Sequence, residues 1–465
     1  MKKILCLLLA LVMTIGLCAC TGSGEKQSQG DQAAAAEGLQ IGYAKINVTP
    51  SYSVGLSGYS DAETRKSEGF ITYIYATCIA ATYGDETILI YTVDNIAMEH
   101  SYADFYRDMI TEKTGIPGDK IFFGATHSHS CPVKSDSQYK IDLGNGIVQG
   151  AEEALADRSP AKMEAGTQEI PGMNFVRHYE MEDGTYAGSN FGDFSKTIVG
   201  HACEGDPNMV LVKFDREGDK KDVLLVNWQA HPDSGSELGR NQIAASWVGP
   251  LRDELEKLSG MHVAYFSGAT GNQNKDSKIP EEANNLNWWD YGIKMGQLTN
   301  EALSCLKPVT GTGIKTTRQM FDVEIDHSWD HMLNQANEVY DLWKSAGKSA
   351  GDALGKTYGF TSSYQARAIR SRASMSATAQ LELNAFSICG VGFTTGTYEM
   401  FSTHGIYVKE YSPFDIDVII TGCSGYIPTP EAYDYRSYEA DTGYYAKGTG
   451  EKLAEEYVKM LETVK

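Results

Sequence analysis

The sequence predicts an α/β fold in which mixed β-sheets are flanked by helices within one large domain. Segments with strand character and segments with helical character alternate along the whole chain, which is the pattern of α/β proteins. The chain is 42% hydrophobic and contains 27 tyrosines and six tryptophans, enough for a large core. No internal repeat and no long Pro/Ser linker follows residue 38, so residues 39–465 are predicted to form a single domain.

The predicted strands are rich in β-branched and aromatic residues and are bounded by turn residues. In chain order they are Ile41–Val48, Ile71–Tyr83, Thr87–Val93, Lys120–Ala125, Met209–Phe214, Val223–Trp228, His262–Phe266 and Ala385–Gly392. The predicted helices show mixed polar and apolar positions, and the first is followed by a glycine and a proline in the usual stop order. They are Ser101–Lys113, Pro250–Leu258, Trp288–Leu306, Trp329–Ala346 and Lys452–Val464.

Residues 1–19 have the organisation of a signal peptide, with two lysines before an apolar run at residues 4–17. A helix of that length reaches about 21 Å, which is too short to cross a hydrocarbon core of about 30 Å. The run ends in Leu-Cys-Ala-Cys, which resembles a bacterial lipobox whose cysteine, here Cys20, is lipidated. Residues 20–38 would then be the lipidated N-terminus and a flexible tether. The alternative is an ordinary secretory signal with incidental cysteines.

These features predict an extracytoplasmic lipoprotein that is anchored to the cell membrane by its N-terminal lipid. The formal net charge of −21 argues against a nucleic-acid partner, because phosphates require clustered cations. The same charge disfavours broad docking on anionic lipid, so the anchor must supply membrane proximity. Of nine cysteines, six lie beyond Cys20, and none forms a CxxC pair, which excludes a cysteine-zinc knuckle.

Histidines follow two of the predicted strands directly. His127 and His129 follow Lys120–Ala125, and His231 follows Val223–Trp228. In an extended segment, side chains two residues apart project to the same side. Imidazole is the commonest biological metal ligand, and a catalytic zinc takes about three protein ligands and keeps one position open. The pattern therefore predicts a metal site at these strand ends, with hydrogen-bonded surface histidines as the alternative.

Five segments resemble motifs of one enzyme family. The sequence Ala-Thr-His-Ser-His-Ser resembles the Ala-Thr-His-Thr-His-Ser motif of the neutral/alkaline non-lysosomal ceramidases, and the others resemble further motifs of that family in the same order. The segments are residues 42–49 with 58–59, 125–130, 227–231, 396–402 and 425–439. On this basis the chain is similar to the N-terminal catalytic domain of the family, as a divergent lipoprotein member.

The resemblance implies a zinc ion bound by His127, His231, Glu399 and Tyr426. Two neutral nitrogens and a carboxylate would partly compensate the charge of the ion, which in turn makes a phenol oxygen a possible fourth ligand.

The resemblance also implies that His129, Arg177 and Tyr438 are catalytic residues that stabilise the tetrahedral oxyanion beside the metal. Residues 267–274 depart from the family, which has Gly-Asp-Val-Ser-Pro-Asn there, and the serine sometimes assigned as nucleophile is missing. Attack by metal-activated water is therefore preferred, and Asn272 and Asn274 are predicted to orient the substrate by hydrogen bonds.

The function implied is hydrolysis of an amide bond, in a small molecule or in an N-acyl lipid such as ceramide. Because the chain ends soon after the tyrosine segment, the C-terminal immunoglobulin-like domain of full-length ceramidases is expected to be absent. Two alternatives remain. One is a zinc hydrolase of another ester or phosphoester, and the other is a catalytically inactive, lipid-anchored binding lipoprotein.

Overall fold

The computed structural model describes residues 38–59, 64–233, 237 and 239–465. The predicted signal peptide, the lipidation site Cys20 and the tether up to residue 37 lie outside the described residues, and the predicted domain boundary remains a prediction.

The strands occur throughout the described residues, and several run directly into the segments that carry candidate site residues. In chain order they are β1 (Leu39–Asn47), β2 (Gly69–Phe70), β3 (Tyr75–Tyr83), β4 (Glu86–Val93), β5 (Ile121–Ala125), β6 (Ser159–Glu169), β7 (Phe175–Val176), β8 (His178–Met181), β9 (Tyr186–Gly188), β10 (Ile198–His201), β11 (Asn208–Arg216), β12 (Val223–Trp228), β13 (Gln242–Ile243), β14 (His262–Ser267), β15 (Gln273–Asn274), β16 (Lys307–Pro308), β17 (Ile314–Glu324), β18 (Thr378–Ile388), β19 (Val391–Gly396), β20 (Glu399–Met400), β21 (Asp417–Thr421) and β22 (Tyr426–Ile427).

The helices lie between these strands. They are α1 (His100–Thr114), α2 (Ser137–Ala156), α3 (Val248–Ser259), α4 (Trp288–Ala302), α5 (Leu333–Ala346), α6 (Lys348–Thr357), α7 (Ser363–Arg372), α8 (Ser402–Tyr411), α9 (Pro430–Asp434), α10 (Tyr438–Thr442) and α11 (Thr449–Thr463). Within the described residues, α11 is the one helix or strand that begins after the motif segment at residues 425–439.

Two large sheets pack face to face and carry helices on their outer faces. The first has the strand order β14-β12-β11-β6-β1-β3-β4-β5, with β16 beside β6, and the second has the order β17-β18-β19-β21. Antiparallel pairs form the middle of the first sheet, whereas β4 and β5 at one end and β12 and β14 at the other are parallel. The mixed α/β fold predicted from the sequence is confirmed.

The main core lies between the two sheets, where aromatic rings of both meet. Phe122 of the first sheet stacks on Phe386 of the second at a ring-centroid distance of 4.3 Å, and Phe386 stacks on Phe393 at 4.7 Å. On the other face of the first sheet, α1 and α2 cover one end and α3 and α4 the other, while α8 and α11 cover the second sheet. Strands β4, β5 and β12, which are buried on both faces, are near-continuous apolar runs, whereas β6 and β17 are polar and partly exposed.

Most predicted elements are present within a few residues of their observed bounds, but the predicted strand Ala385–Gly392 is wrong. The chain turns back inside that range, because β18 ends at Ile388 and β19 begins at Val391, directly opposite it. The turn consists of Cys389 and Gly390, which have φ values of 47° and 90°. Two left-handed residues match the twist of a hairpin. Because apolar residues flank the turn on both sides, the sequence pattern resembled that of one continuous strand.

Helix α2 was not predicted, although it is 20 residues long. Its N-cap Asp136 accepts hydrogen bonds from the backbone of Gln138 and Tyr139. The helix contains several glycines, which normally disfavour helices. At Gly146 a Cβ atom would lie 2.7 Å from the side chain of Val48, so the missing side chain is what lets the helix approach the sheet. Tertiary packing therefore overrides the local preference.

Candidate metal centre

Four candidate ligands follow the carboxyl ends of strands that belong to both sheets. His127 follows β5 and His231 follows β12 in the first sheet, whereas Glu399 follows β19 and Tyr426 follows β21 in the second. The short parallel ladder of β20 and β22 aligns Glu399 with Tyr426. Ligand sites of α/β proteins commonly lie beyond the carboxyl ends of their strands. Here the strand ends of the two sheets meet at a common edge.

Three imidazole rings converge there. The Nε2 atoms of His127 and His231 are 3.0 Å apart, and the Nε2 atom of His129 is 3.1 Å from each of them. The side chain of Glu399 joins them, with Oε2 at 3.3 Å from Nε2 of His127. His127 and His231 are buried, and His129 is partly exposed.

The arrangement fits a metal ion better than a hydrogen-bond network. Each N···N contact between neutral imidazoles could be satisfied only by a donor facing an acceptor. The outer nitrogen of His127, Nδ1, lies 2.6 Å from the carbonyl oxygen of Ile96, which accepts its proton and leaves the Nε2 lone pair facing the cluster. Oε2 of Glu399 is buried and accepts no hydrogen bond from a described residue. Buried lone pairs without donors are costly unless a cation neutralises them.

The spacing of the nitrogen atoms agrees with this interpretation. Two ligand nitrogens at about 2.0–2.1 Å from a tetrahedral zinc ion lie about 3.3–3.4 Å apart. The observed separations of 3.0–3.1 Å are close to that value. The three histidines therefore form a cluster that could bind a metal ion.

The backbone at His127 differs from the extended segment that the sequence predicted. Its φ value is 64°, in the left-handed region that side chains other than glycine rarely adopt. A left-handed residue directly after β5 turns the chain. The convergence of His127 and His129 therefore results from this turn and not from the alternation of an extended strand. Such strained residues persist only where the surrounding structure holds them.

Burial and neighbouring charges set the pKa values of the three imidazoles. Burial lowers the pKa of His129 to about 3. Burial, together with the neighbouring His127, holds the pKa of His231 well below its ordinary value. Burial also acts to lower the pKa of His127, but the adjacent carboxylate of Glu399 outweighs it and raises that pKa. His129 and His231 are therefore neutral at pH 7, the form that binds metal ions.

Arg177 enters the centre from the end of β7 and is held by a buried carboxylate. Its Nε donates to Oε1 of Glu439 at 2.9 Å, and its Nη2 donates to the carbonyl of Gly271 at 2.9 Å and to the hydroxyl of Tyr426 at 3.3 Å. The other oxygen of Glu439 lies 2.7 Å from Nε2 of His178. Burial acts to raise the pKa of Glu439, but His178 and Arg177 outweigh it and lower that pKa to about 2. A charged carboxylate thus fixes the guanidinium.

A cavity of about 470 Å³ opens above the imidazole cluster. Its wall includes three of the predicted catalytic residues, two of the predicted metal ligands and one predicted substrate-binding residue. The lining residues are Gly58, Tyr59, His129, Arg177, Ser189, Asn190, His231, Asp233, Asn274, Tyr364, Arg367, Tyr426 and Tyr438.

The two asparagines predicted to bind substrate have different positions. Asn274 lines the cavity. Asn272 is fully buried, its Oδ1 accepts from the backbone N–H of Ser402 at 2.8 Å, and its Nδ2 contacts the Ser402 hydroxyl at 3.1 Å. Both polar atoms of the Asn272 amide therefore bond Ser402 at the start of α8. The prediction that Asn272 contacts substrate is therefore not supported by its position, because its polar atoms do not reach the cavity.

Several residues of the site were not predicted from the sequence. Glu439 directly follows Tyr438, and His178 directly follows Arg177, but the sequence analysis assigned a role only to Tyr438 and Arg177. Asp233, two residues after His231, places Oδ1 at 3.7 Å from Nδ1 of His129 and accepts a hydrogen bond from a tyrosine hydroxyl. These residues could have been found from their proximity to the motifs. Tyr364 and Arg367 of α7 carry no such sequence signal.

Comparison with solved structures identifies the fold. The neutral ceramidase from Pseudomonas aeruginosa superposes with a TM-score of 0.68 at 16% sequence identity, covering 92% of this chain and 74% of that one. A structure described as "Ceramidase complexed with C2" gives a TM-score of 0.67 at 15% identity, covering 92% and 75% of the two chains. No protein-family model and no curated protein sequence matches the chain.

The chain therefore has a neutral-ceramidase-like fold with a histidine cluster able to bind a metal ion at one edge of its sheets. The resemblance inferred from the sequence motifs is confirmed at the level of the fold, and the low identity agrees with a divergent member.

Replacing His127 or His231 by alanine should remove the bound divalent metal, because each supplies one of the converging nitrogens. We expect about one equivalent of metal in the purified wild-type protein and at least a tenfold weaker affinity in either variant, as measured by elemental analysis and competition with a chelator. His331→Ala, which alters an exposed histidine, is the matched control. Full metal content in His127→Ala and His231→Ala would show that the cluster is not the metal site.

Proposed function

We propose that the protein is a zinc-dependent hydrolase that cleaves an amide bond. One observation carries the proposal. Three imidazole nitrogens and a buried, unpartnered carboxylate oxygen converge at the base of a cavity whose wall contains a fixed guanidinium. The solved structures with the same fold are ceramidases by name, which supports an N-acyl compound as the substrate class.

The donor set supports zinc among the common metals. Imidazole nitrogens with one carboxylate are typical of catalytic zinc sites, whereas calcium and magnesium prefer oxygen ligands. We propose that His127, His231 and Glu399 hold the ion with Tyr426 as fourth ligand, and that His129, which lines the cavity, faces the substrate. Zinc bound there would supply Lewis acidity, polarising a carbonyl and lowering the pKa of water from 15.7 to about 7.

The residues of the chain provide the remaining functions. Arg177, held in place by Glu439, and the neutral His129 can donate hydrogen bonds to the oxyanion that develops on the scissile carbonyl. The hydroxyl of Tyr438 lies in the same wall, and burial raises its pKa to about 12, so it stays a protonated donor at neutral pH. Asn274 can orient the substrate by hydrogen bonds from its amide. Because Arg177 is fixed by its hydrogen bonds before the substrate arrives, this donor needs little reorganisation during the reaction.

Purified protein should hydrolyse N-acyl amides, and chelation of the metal should abolish the activity while added zinc restores it. The test is a panel of amide, ester and phosphoester substrates of similar size, assayed with and without chelator. Hydrolysis confined to esters or phosphoesters would reject the amidase. Absence of any chelator-sensitive turnover, together with ligand binding that does not depend on zinc, would instead favour an inactive binding lipoprotein.

Replacing Arg177 by glutamine should lower kcat by about 10²–10³, the usual effect of removing one oxyanion donor, while metal content stays at the wild-type level. Arg370→Gln is the control, because Arg370 does not line the cavity. It lies over the ring of Tyr340 and donates to Asn337. Steady-state kinetics on the best amide substrate, with elemental analysis of each variant, measure both effects. A wild-type kcat in Arg177→Gln would remove this residue from the mechanism.

We also propose that the enzyme acts outside the cytoplasm as a lipid-anchored protein, on the basis of the N-terminal sequence that ends at Cys20. Within the described residues, no helix combines the length and apolarity needed to cross a bilayer. In this proposal, acyl chains on Cys20 attach the protein to the membrane.

Substitution Cys20→Ala should move the protein from the membrane fraction to the soluble fraction when the full chain is expressed in a bacterial host. Fractionation, and mass spectrometry of the N-terminal peptide for an acylated cysteine, measure this outcome. Cys203→Ala, in the body of the chain, is the control. A membrane-bound Cys20→Ala variant would reject the lipid anchor.

A further inference from the structure

The cavity above the metal centre is lined by polar and aromatic side chains. Among the described residues, its wall contains histidine, arginine, tyrosine, serine, asparagine, aspartate and glycine, and no aliphatic side chain. Binding sites for acyl chains bury methylene groups against apolar side chains, because burial of apolar surface is their main source of affinity. The described wall offers the rings of tyrosines but no aliphatic surface. It suits a compact and polar substrate better than a molecule with long hydrocarbon chains.

A row of three tyrosine rings runs along this wall away from the metal centre. The ring centroids of Tyr426 and Tyr438 are 6.1 Å apart, and those of Tyr438 and Tyr364 are 5.6 Å apart, both in edge-to-face contact. The guanidinium carbon of Arg367 lies 5.4 Å from the ring centre of Tyr364. The row therefore connects the metal centre at one end with a positive charge at the other.

Arg367 differs from the other arginine of the wall. Arg177 is paired with Glu439 and is buried, whereas Arg367 is exposed to solvent. No carboxylate of the described residues forms an ion pair with Arg367, whose contacts are the rings of Trp343 and Tyr364. Asp233, the carboxylate of the wall, is instead engaged by a tyrosine and lies beside His129. Ring stacking positions the guanidinium and leaves its N–H groups available for a ligand.

We propose that Arg367 selects substrates that carry an anionic group, a carboxylate or a phosphate, on the part of the molecule remote from the scissile amide. A planar guanidinium binds either group through two parallel hydrogen bonds. With the scissile carbonyl at the metal centre, the anion lies at the far end of the tyrosine row. This inference rests on the proposed hydrolase and narrows its substrate class to polar amides that carry an anionic group several bonds away from the scissile amide.

Binding of non-hydrolysable ligands tests the inference without requiring turnover. The ligands are methyl ketones in which CH₂ replaces the amide N–H, with chains of increasing length that end in a carboxylate, a phosphonate or a neutral carboxamide. Titration calorimetry on the purified protein gives the Kd of each. At the optimal chain length, we expect an anionic ligand to bind about tenfold more tightly than its carboxamide. The tighter of the two anions identifies a carboxylate or a phosphate substrate.

Variants assign the preference to Arg367. We expect Arg367→Gln to bind anionic and neutral ligands equally, and Arg367→Lys to keep part of the preference. Arg370→Gln on the same helix should keep all of it, because Arg370 bonds Asn337 instead of lining the cavity. Equal binding of charged and neutral ligands by the wild-type protein, or an intact preference in Arg367→Gln, would overturn the inference.

The two proposals can fail separately. A protein that shows the Arg367-dependent preference but hydrolyses no amide would refute the hydrolase and retain the anion subsite. A protein that hydrolyses long-chain N-acyl lipids faster than short amides that end in a remote carboxylate or phosphate would retain the hydrolase and refute the anion subsite.

Discussion

The site depends on one constraint, the convergence of imidazole nitrogens and a carboxylate oxygen at one point in the protein interior. Three imidazole nitrogens lie within 3.1 Å of one another, and a buried carboxylate oxygen lies 3.3 Å from the nearest of them. Isolated in a protein interior, such a group of acceptors is unfavourable, because each has lost its hydrogen bonds to water. A cation at their centre turns the same arrangement into a favourable one. The left-handed turn at His127 and the carbonyl of Ile96 serve to maintain it.

The two sheets bring these atoms together through close packing. At Gly124, just before the histidine segment, a Cβ atom would lie 2.5 Å from the side chain of Ile420 in the second sheet. A larger residue would separate β5 from β21, and with them the histidines from Glu399 and Tyr426. Stacking of Phe122 on Phe386 holds the same interface further from the site. The geometry of the site thus depends on packing between the two sheets as well as on the candidate ligand residues themselves.

The sequence allowed the sheets and the histidine positions to be predicted, since long apolar runs that end in polar residues are local signals. Glu399 and Tyr426 could be proposed only through the resemblance, because an isolated glutamate or tyrosine has no distinguishing pattern. The hairpin at Cys389 was missed because apolar residues flank its short turn, and the glycine-containing helix α2 was missed because tertiary packing decides its formation. Asn272 was predicted to orient the substrate because it lies in the segment where the family's serine is missing, and its burial was not visible in the sequence. Arg367 lies on a helix that packs mainly on helix α5, and its place in the cavity wall depends on the contact of Tyr364 with Tyr438, which is distant in sequence.

The origin of the candidate ligands in both sheets has a consequence for the stability of the molecule. An ion shared by His127, His231 and Glu399 would link the two layers and would bind only the folded chain in this geometry. Its binding free energy would then add to the free energy of unfolding by mass action. The lifetime of the folded protein would therefore follow the supply of metal in its surroundings, so that starvation for the ion would reduce the amount of intact protein as well as its activity.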